Sequence, residues 1–119
     1  MKRSILSVCF LALAAIPAVA SDVRLDSYRN PKNESFRNFN QLYLDGVKSG
    51  LMAYNARIKS QGGQQAFCMP ANLVLTVEQA EDIMLRRADK TAAKGDMLVS
   101  ILLLAGLRDT YPCEKPESR

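Results

Sequence analysis

The 119-residue sequence contains no histidine, no tryptophan and only three cysteines. Without histidine, Ser49 and Ser100 have no imidazole to activate them, which removes the usual acyl-transfer triad. Tetrahedral zinc needs four nitrogen or sulfur ligands, and the cysteines left after export make half a site. The carboxylates do not follow the spacing of a calcium loop. No glycine-rich phosphate loop follows a strand, and Gly62-Gly63 is better placed to stop a helix. Glu78, Glu81 and Asp82 are simplest as the solvated first turn of a helix, because acid–base work needs carboxylates in a cleft with shifted pKa. Basic residues are interspersed with acids rather than gathered in a stripe, so nucleic acid is not an expected partner. Repeats, low-complexity tracts and β-type alternation are missing as well. These absences leave no catalytic residue, no metal ligand and no cofactor to assign, and they favour binding over catalysis.

The chain does have a distinctive start. Lys2-Arg3 precede an apolar run from Ile5 to Ile16, and Ala18-Val19-Ala20 close it. A basic end, a short apolar core and an Ala-x-Ala exit are the parts of a secretory signal peptide. The run is too short for a spanning helix of about 20 residues. Cleavage after Ala20 is therefore expected, with a periplasmic product and no lasting membrane anchor. Cys9 leaves with the leader. Loss of Lys2 and Arg3 takes Lys+Arg from 16 to 14 against 12 Asp+Glu, so net charge falls from +4 to +2.

The remainder is long enough for one domain. Residues 21–33 are polar and read as a loosely ordered arm, with Asn30-Pro31 or Asn33 as the start of a helix. Residues 34–119 form the helical domain. A first long helix is predicted over 34–60, because Phe36, Phe39, Tyr43, Val47, Leu51, Tyr54 and Ile58 recur at steps of three or four. Gly46 and Gly50 share one face of it, which predicts the close approach of another helix. Thr76 and Gln79 are spaced as a capping box for a second helix, with Val77, Ala80, Ile83, Met84 and Ala88 inward. Residues 89–95 read as a loop. Asp96 is a candidate cap for a last helix over 97–110, apolar nearly all round and hence central. The fold class is all-α: a small bundle of three main helices, with room for a short fourth.

Cys68 and Cys113 are the two thiols left after export. A redox catalyst wants its cysteines close together, as in Cys-x-x-Cys, and here they are 45 positions apart. In an oxidising compartment a structural disulfide is the expected state, subject to the two residues lying within bridging range.

Three stretches then stand in order: "YLDGVKSGLMAY" (43–54), "FCMP" (67–70) and "LRDTYPC" (107–113). Together with the leader they resemble the Rap/Tai family of small exported immunity proteins of type VI secretion. The resemblance implies an all-α fold bridged by Cys68 and Cys113. It also implies a periplasmic protein that binds a secreted peptidoglycan amidase effector and blocks its active cleft. Some members act as homodimers.

An inhibitor of this kind presents a polar loop to its partner. The preferred segment is 88–96, with Arg87, Lys90, Lys94 and Asp96 as candidate contacts, chosen on exposure and position. The competing function is a general periplasmic interaction or stress module with no dedicated toxin.

Overall fold

Three local signals punctuate the chain. The side chain of Asn33 accepts a hydrogen bond from Phe36 N–H (3.1 Å) and starts α2, Glu34–Ser60. Thr76 and Gln79 complete both halves of the capping box that starts α3, Val77–Lys90. Such a cap is worth about 1 kcal/mol, because it satisfies N–H groups that the first turn leaves free. The left-handed Gly62 ends α2. Two further helices, α1 (Leu25–Arg29) and α4 (Val99–Thr110), complete the fold. The structure, a computed structural model, describes residues 22–114. The expected leader lies outside them. Among the described residues the fold is all-α, with one isolated bridge between Arg24 and Leu98.

The core gathers from all four helices and the α2–α3 connection. Leu44, Phe67, Ala80, Met84, Leu103 and Leu107 are all but fully buried. The packed pair α3–α4 forms its centre, as the apolar character of the last helix predicts. The inner face of α3 is also as expected: Ala80, Ile83, Met84 and Ala88 are buried.

Four expectations need correction. The part of the expected arm that is described, residues 22–33, is not loose, since Val23, Leu25 and Tyr28 are buried and Leu25–Arg29 is helical. This segment binds the α3–α4 connection and the first residue of α4 through Leu25 N–H to Met97 C=O (2.9 Å), Asp26 N–H to Gly95 C=O (2.9 Å) and Val99 N–H to Val23 C=O (3.0 Å). That last bond explains the second correction. Asp96 does not cap α4, because α4 begins at Val99 with Leu98 at the cap position and no side-chain cap, and the Val23 carbonyl instead takes the free N–H of Val99.

The third concerns the face of α2. Phe36 and Phe39 are each 47% exposed and Tyr54 is 67% exposed. Tyr43, Val47 and Leu51 of the expected stripe do pack against the core, but the fully buried line runs through Asn40, Leu44 and Asn55. Two asparagines can be buried there because each binds backbone. Asn40 Nδ2 donates to Ser27 C=O (3.2 Å), Asn55 Nδ2 donates to Phe67 C=O (2.7 Å), and Asn55 Oδ1 accepts from Ala66 N–H (2.9 Å). Fourth, no helix packs on Gly46 or Gly50: a methyl group added at either would meet nothing within 4 Å. The close crossing is at Gly106 of α4, where an added Cβ would come 2.8 Å from both the side chain and the carbonyl of Ile83.

Candidate functional site

The surface that gathers most of the expected contact residues lies along the α3–α4 seam. The crossing at Gly106 brings the last turn of α3 beside the last turn of α4. Arg87 forms an ion pair with Asp109, and Lys90 Nζ stands 4.0 Å from the same carboxylate. Both cations lie on α3, not on a loop, because α3 continues to Lys90 and Ala88 is buried within it. The loop proper begins at Thr91.

Between these residues runs a shallow open groove of about 500 Å³. Ile83 and Gly106 form its floor, Arg86, Arg87 and Lys90 one wall, and Asp109 and Thr110 the other. On the far side of Arg87 lies a second depression, of about 410 Å³, bordered by Lys94, Met97 and Ile101. Thus Arg87 joins the two depressions, Lys90 belongs to the first and Lys94 to the second. Asp96 is exposed on the loop and lines neither. The sequence alone did not place Asp109, Met97 and Ile101 on this surface, nor Arg108 in the small depression that adjoins it between Arg87 and Asp109. Their placement depends on the register of α4 against α3, and no local pattern encodes that register.

At the opposite end of α4 from its first turn, Cys68 and Cys113 are joined by a disulfide, with their Cα atoms 4.8 Å apart. A backbone bond from Cys68 N–H to Tyr111 C=O (2.8 Å) lies beside it. Together they hold the α2–α3 connection to the chain leaving α4.

Among the described residues no three His, Cys, Asp or Glu side chains converge as metal ligands. Tyr28 has a displaced pKa. Burial, reinforced by its hydrogen bond to Glu81 and by that carboxylate's charge, pushes its phenol well above the ordinary value. It sits between α1 and α3 as a packing element.

A family model for Rap1a immunity proteins matches residues 12–113. The chain belongs to that family. The match takes in all four helices and both cysteines of the disulfide, so the shared unit is the whole braced bundle. As a Rap1a immunity protein its part is immunity, with a secreted effector as the implied partner. No curated protein and no solved structure matches the chain. No helix of the described residues is long and apolar enough to cross a membrane.

Proposed function

We propose that this chain is a periplasmic immunity protein that binds a type VI secreted peptidoglycan amidase and occludes its active cleft. It acts by binding alone. The observation that carries this function is the family match over residues 12–113. The disulfide supports the compartment, because such bonds persist where thiols are not kept reduced. The leader over residues 1–20 supplies the route. A bundle braced at both ends suits the task, since an inhibitor that is rigid before binding loses little freedom on docking.

The contacts proposed for the effector are Arg87, Lys90, Lys94 and Asp96. A homodimer belongs to the same proposal. From Ser35 to Tyr54 the outer face of α2 presents Phe36, Phe39, Leu42, Tyr54 and the open Gly46 and Gly50, without a charged side chain among them. Two such faces can approach closely at the glycines.

The test is protection. Cells that export a type VI peptidoglycan amidase of the same host should survive when the full chain is co-expressed and lyse when residues 1–20 are deleted. The exported chain should co-purify with the amidase and abolish its hydrolysis of peptidoglycan. Lysis despite export of the chain, with no complex formed, rejects the proposal.

A further inference from the structure

We infer that the α3–α4 seam is a receptor for a carboxylate-bearing protrusion of a protein partner, with Ile101 and Met97 as the apolar anchor beside it. The immunity function above supplies the partner's identity; the chemistry of the seam is argued independently of it.

Charge is the first ground. Arg86, Arg87 and Lys90 of α3 line the groove with Asp109, and Arg108 of α4 borders an adjoining depression that shares Arg87 and Asp109 with it. Their acidic counterparts are Asp109 itself and Asp82, which pairs with Arg86 at 3.0 Å across one turn of an exposed helix face. Four cations against two carboxylates leave an excess of two positive charges. That excess equals the net charge expected for the whole exported chain. Asp109 is shared: Arg87 holds it, and Lys90, still largely in solvent, reaches it only at 4.0 Å. Lys90 and Arg108 are therefore available to a second carboxylate, and an arginine beside an open groove can take one through two parallel N–H donors.

Shape is the second ground. The groove exists because α4 has no side chain at Gly106, so the two helices meet there and the longer side chains of both stand up on either side. It is open along its length, which suits an inserted protein side chain better than an enclosed metabolite. Free phosphate and nucleic acid are disfavoured by Asp109 in the middle of the cations, since it repels a doubly charged group more strongly than a carboxylate.

The third ground is the apolar flank. Ile101 is 52% exposed and Met97 37%, and both border the depression that Arg87 shares with the groove. An arginine between an exposed aliphatic anchor and a charged rim is the arrangement of a protein–protein contact centre. A small anion has no use for the aliphatic part.

Two experiments separate this inference from the immunity function. In the first, tetraglutamate is titrated into the ¹⁵N-labelled exported chain. Amide shifts should concentrate at Ile83, Gly106 and Arg108, and Arg86→Glu/Arg108→Glu should remove them while the chain keeps its folded, helical circular dichroism. No shifts, or shifts spread along α2, overturn the inference. The second measures affinity for the type VI amidase of the same host that is used to test protection. Arg86→Glu/Arg108→Glu and, separately, Ile101→Asp should each weaken binding at least tenfold. If both variants bind like the wild type, the seam is not the receptor and the immunity function stands. If the wild type ignores the amidase yet takes up tetraglutamate at the seam, the immunity function fails and the carboxylate site stands.

Discussion

Gly62 and Ala92 occupy the same position of the same helix-ending motif, with φ of 71° and 47°. After α2, Gly62 N–H bonds Lys59 C=O (3.0 Å) and Gly63 N–H bonds Ile58 C=O (2.9 Å). After α3, Ala92 N–H bonds Asp89 C=O (3.1 Å) and Ala93 N–H bonds Ala88 C=O (2.9 Å). The motif turns the chain through a left-handed residue, where glycine is unstrained and alanine costs about 1 kcal/mol. Ala92→Gly should therefore stabilise the fold by about 0.5–1 kcal/mol, part of the relief being offset by the greater freedom of glycine in the unfolded chain. Gly62→Ala should destabilise it by about 1 kcal/mol. Thermal melts followed by circular dichroism check both, as opposite shifts of a few degrees.

Alanine should have opposite effects at Gly106 and at Gly46 or Gly50. At Gly106 the new methyl meets the Ile83 carbonyl at 2.8 Å, and backbone cannot give way as a side chain can. A cost of about 1–3 kcal/mol follows from forcing α3 and α4 apart. At Gly46 or Gly50 the methyl meets open space, so only helix propensity changes, and each substitution should gain up to about 1 kcal/mol in the monomer. If the outer face of α2 joins two copies, the same substitutions raise the dimer dissociation constant. Denaturant unfolding and sedimentation on the same variants read the two effects separately.

What could be read from the sequence was what local chemistry decides. Thr76 with Gln79, Asn33 and Gly62 each act within a few residues, and the limits of α2 and the start of α3 follow from them. The family resemblance and the position of the cysteines likewise led to the observed bridge. What was not legible depends on partners distant in sequence. Asn40 and Asn55 are buried because Ser27, Ala66 and Phe67 offer backbone partners, so the inward face of α2 contains polar residues and its outward face aromatic ones. Hydrophobic periodicity alone merges the two. Val23 and Leu25 stand in a polar stretch and are buried because that stretch lies across the start of α4. Arg87 and Lys90 were identifiable as exposed cations, but Asp109 between them was not, since only the crossing at Gly106 sets its position.

Reduction of the Cys68–Cys113 bond should weaken the bundle without dissolving it. The bond closes a loop of 45 residues, and in the chain-entropy account this restriction of the unfolded chain is worth about 4 kcal/mol. The hydrogen bond from Cys68 N–H to Tyr111 C=O, and the burial of Phe67 next to it, do not require the sulfur bridge. Cys68→Ser/Cys113→Ser should keep its helical circular dichroism while its urea midpoint falls well below that of the oxidised chain. Adding reductant should move the wild type to the same midpoint and leave the variant unchanged. An unchanged wild-type midpoint in reductant would show that the bridge contributes nothing to stability.

The Tyr28 hydroxyl donates to Glu81 Oε1 at 3.0 Å, and the ring is buried between α1 and α3. Burial first, then the hydrogen bond and the charge of Glu81, hold the phenol protonated well above the ordinary tyrosine value. In the unfolded chain the same phenol ionises near pH 10. Above that pH the unfolded state has lost a proton that the folded state keeps, so stability falls as pH rises. The slope from this one group is about 1.4 kcal/mol per pH unit, until the folded phenol ionises too. The stabilising contribution is thus complete below pH 10 and is lost on the alkaline side. Tyr28→Phe should cost about 1 kcal/mol at pH 7, through the missing hydrogen bond, and should flatten the alkaline loss. Urea midpoints of the two proteins should therefore converge between pH 10 and pH 11.5. Parallel curves over that range would show that Tyr28 ionises as readily in the fold as outside it.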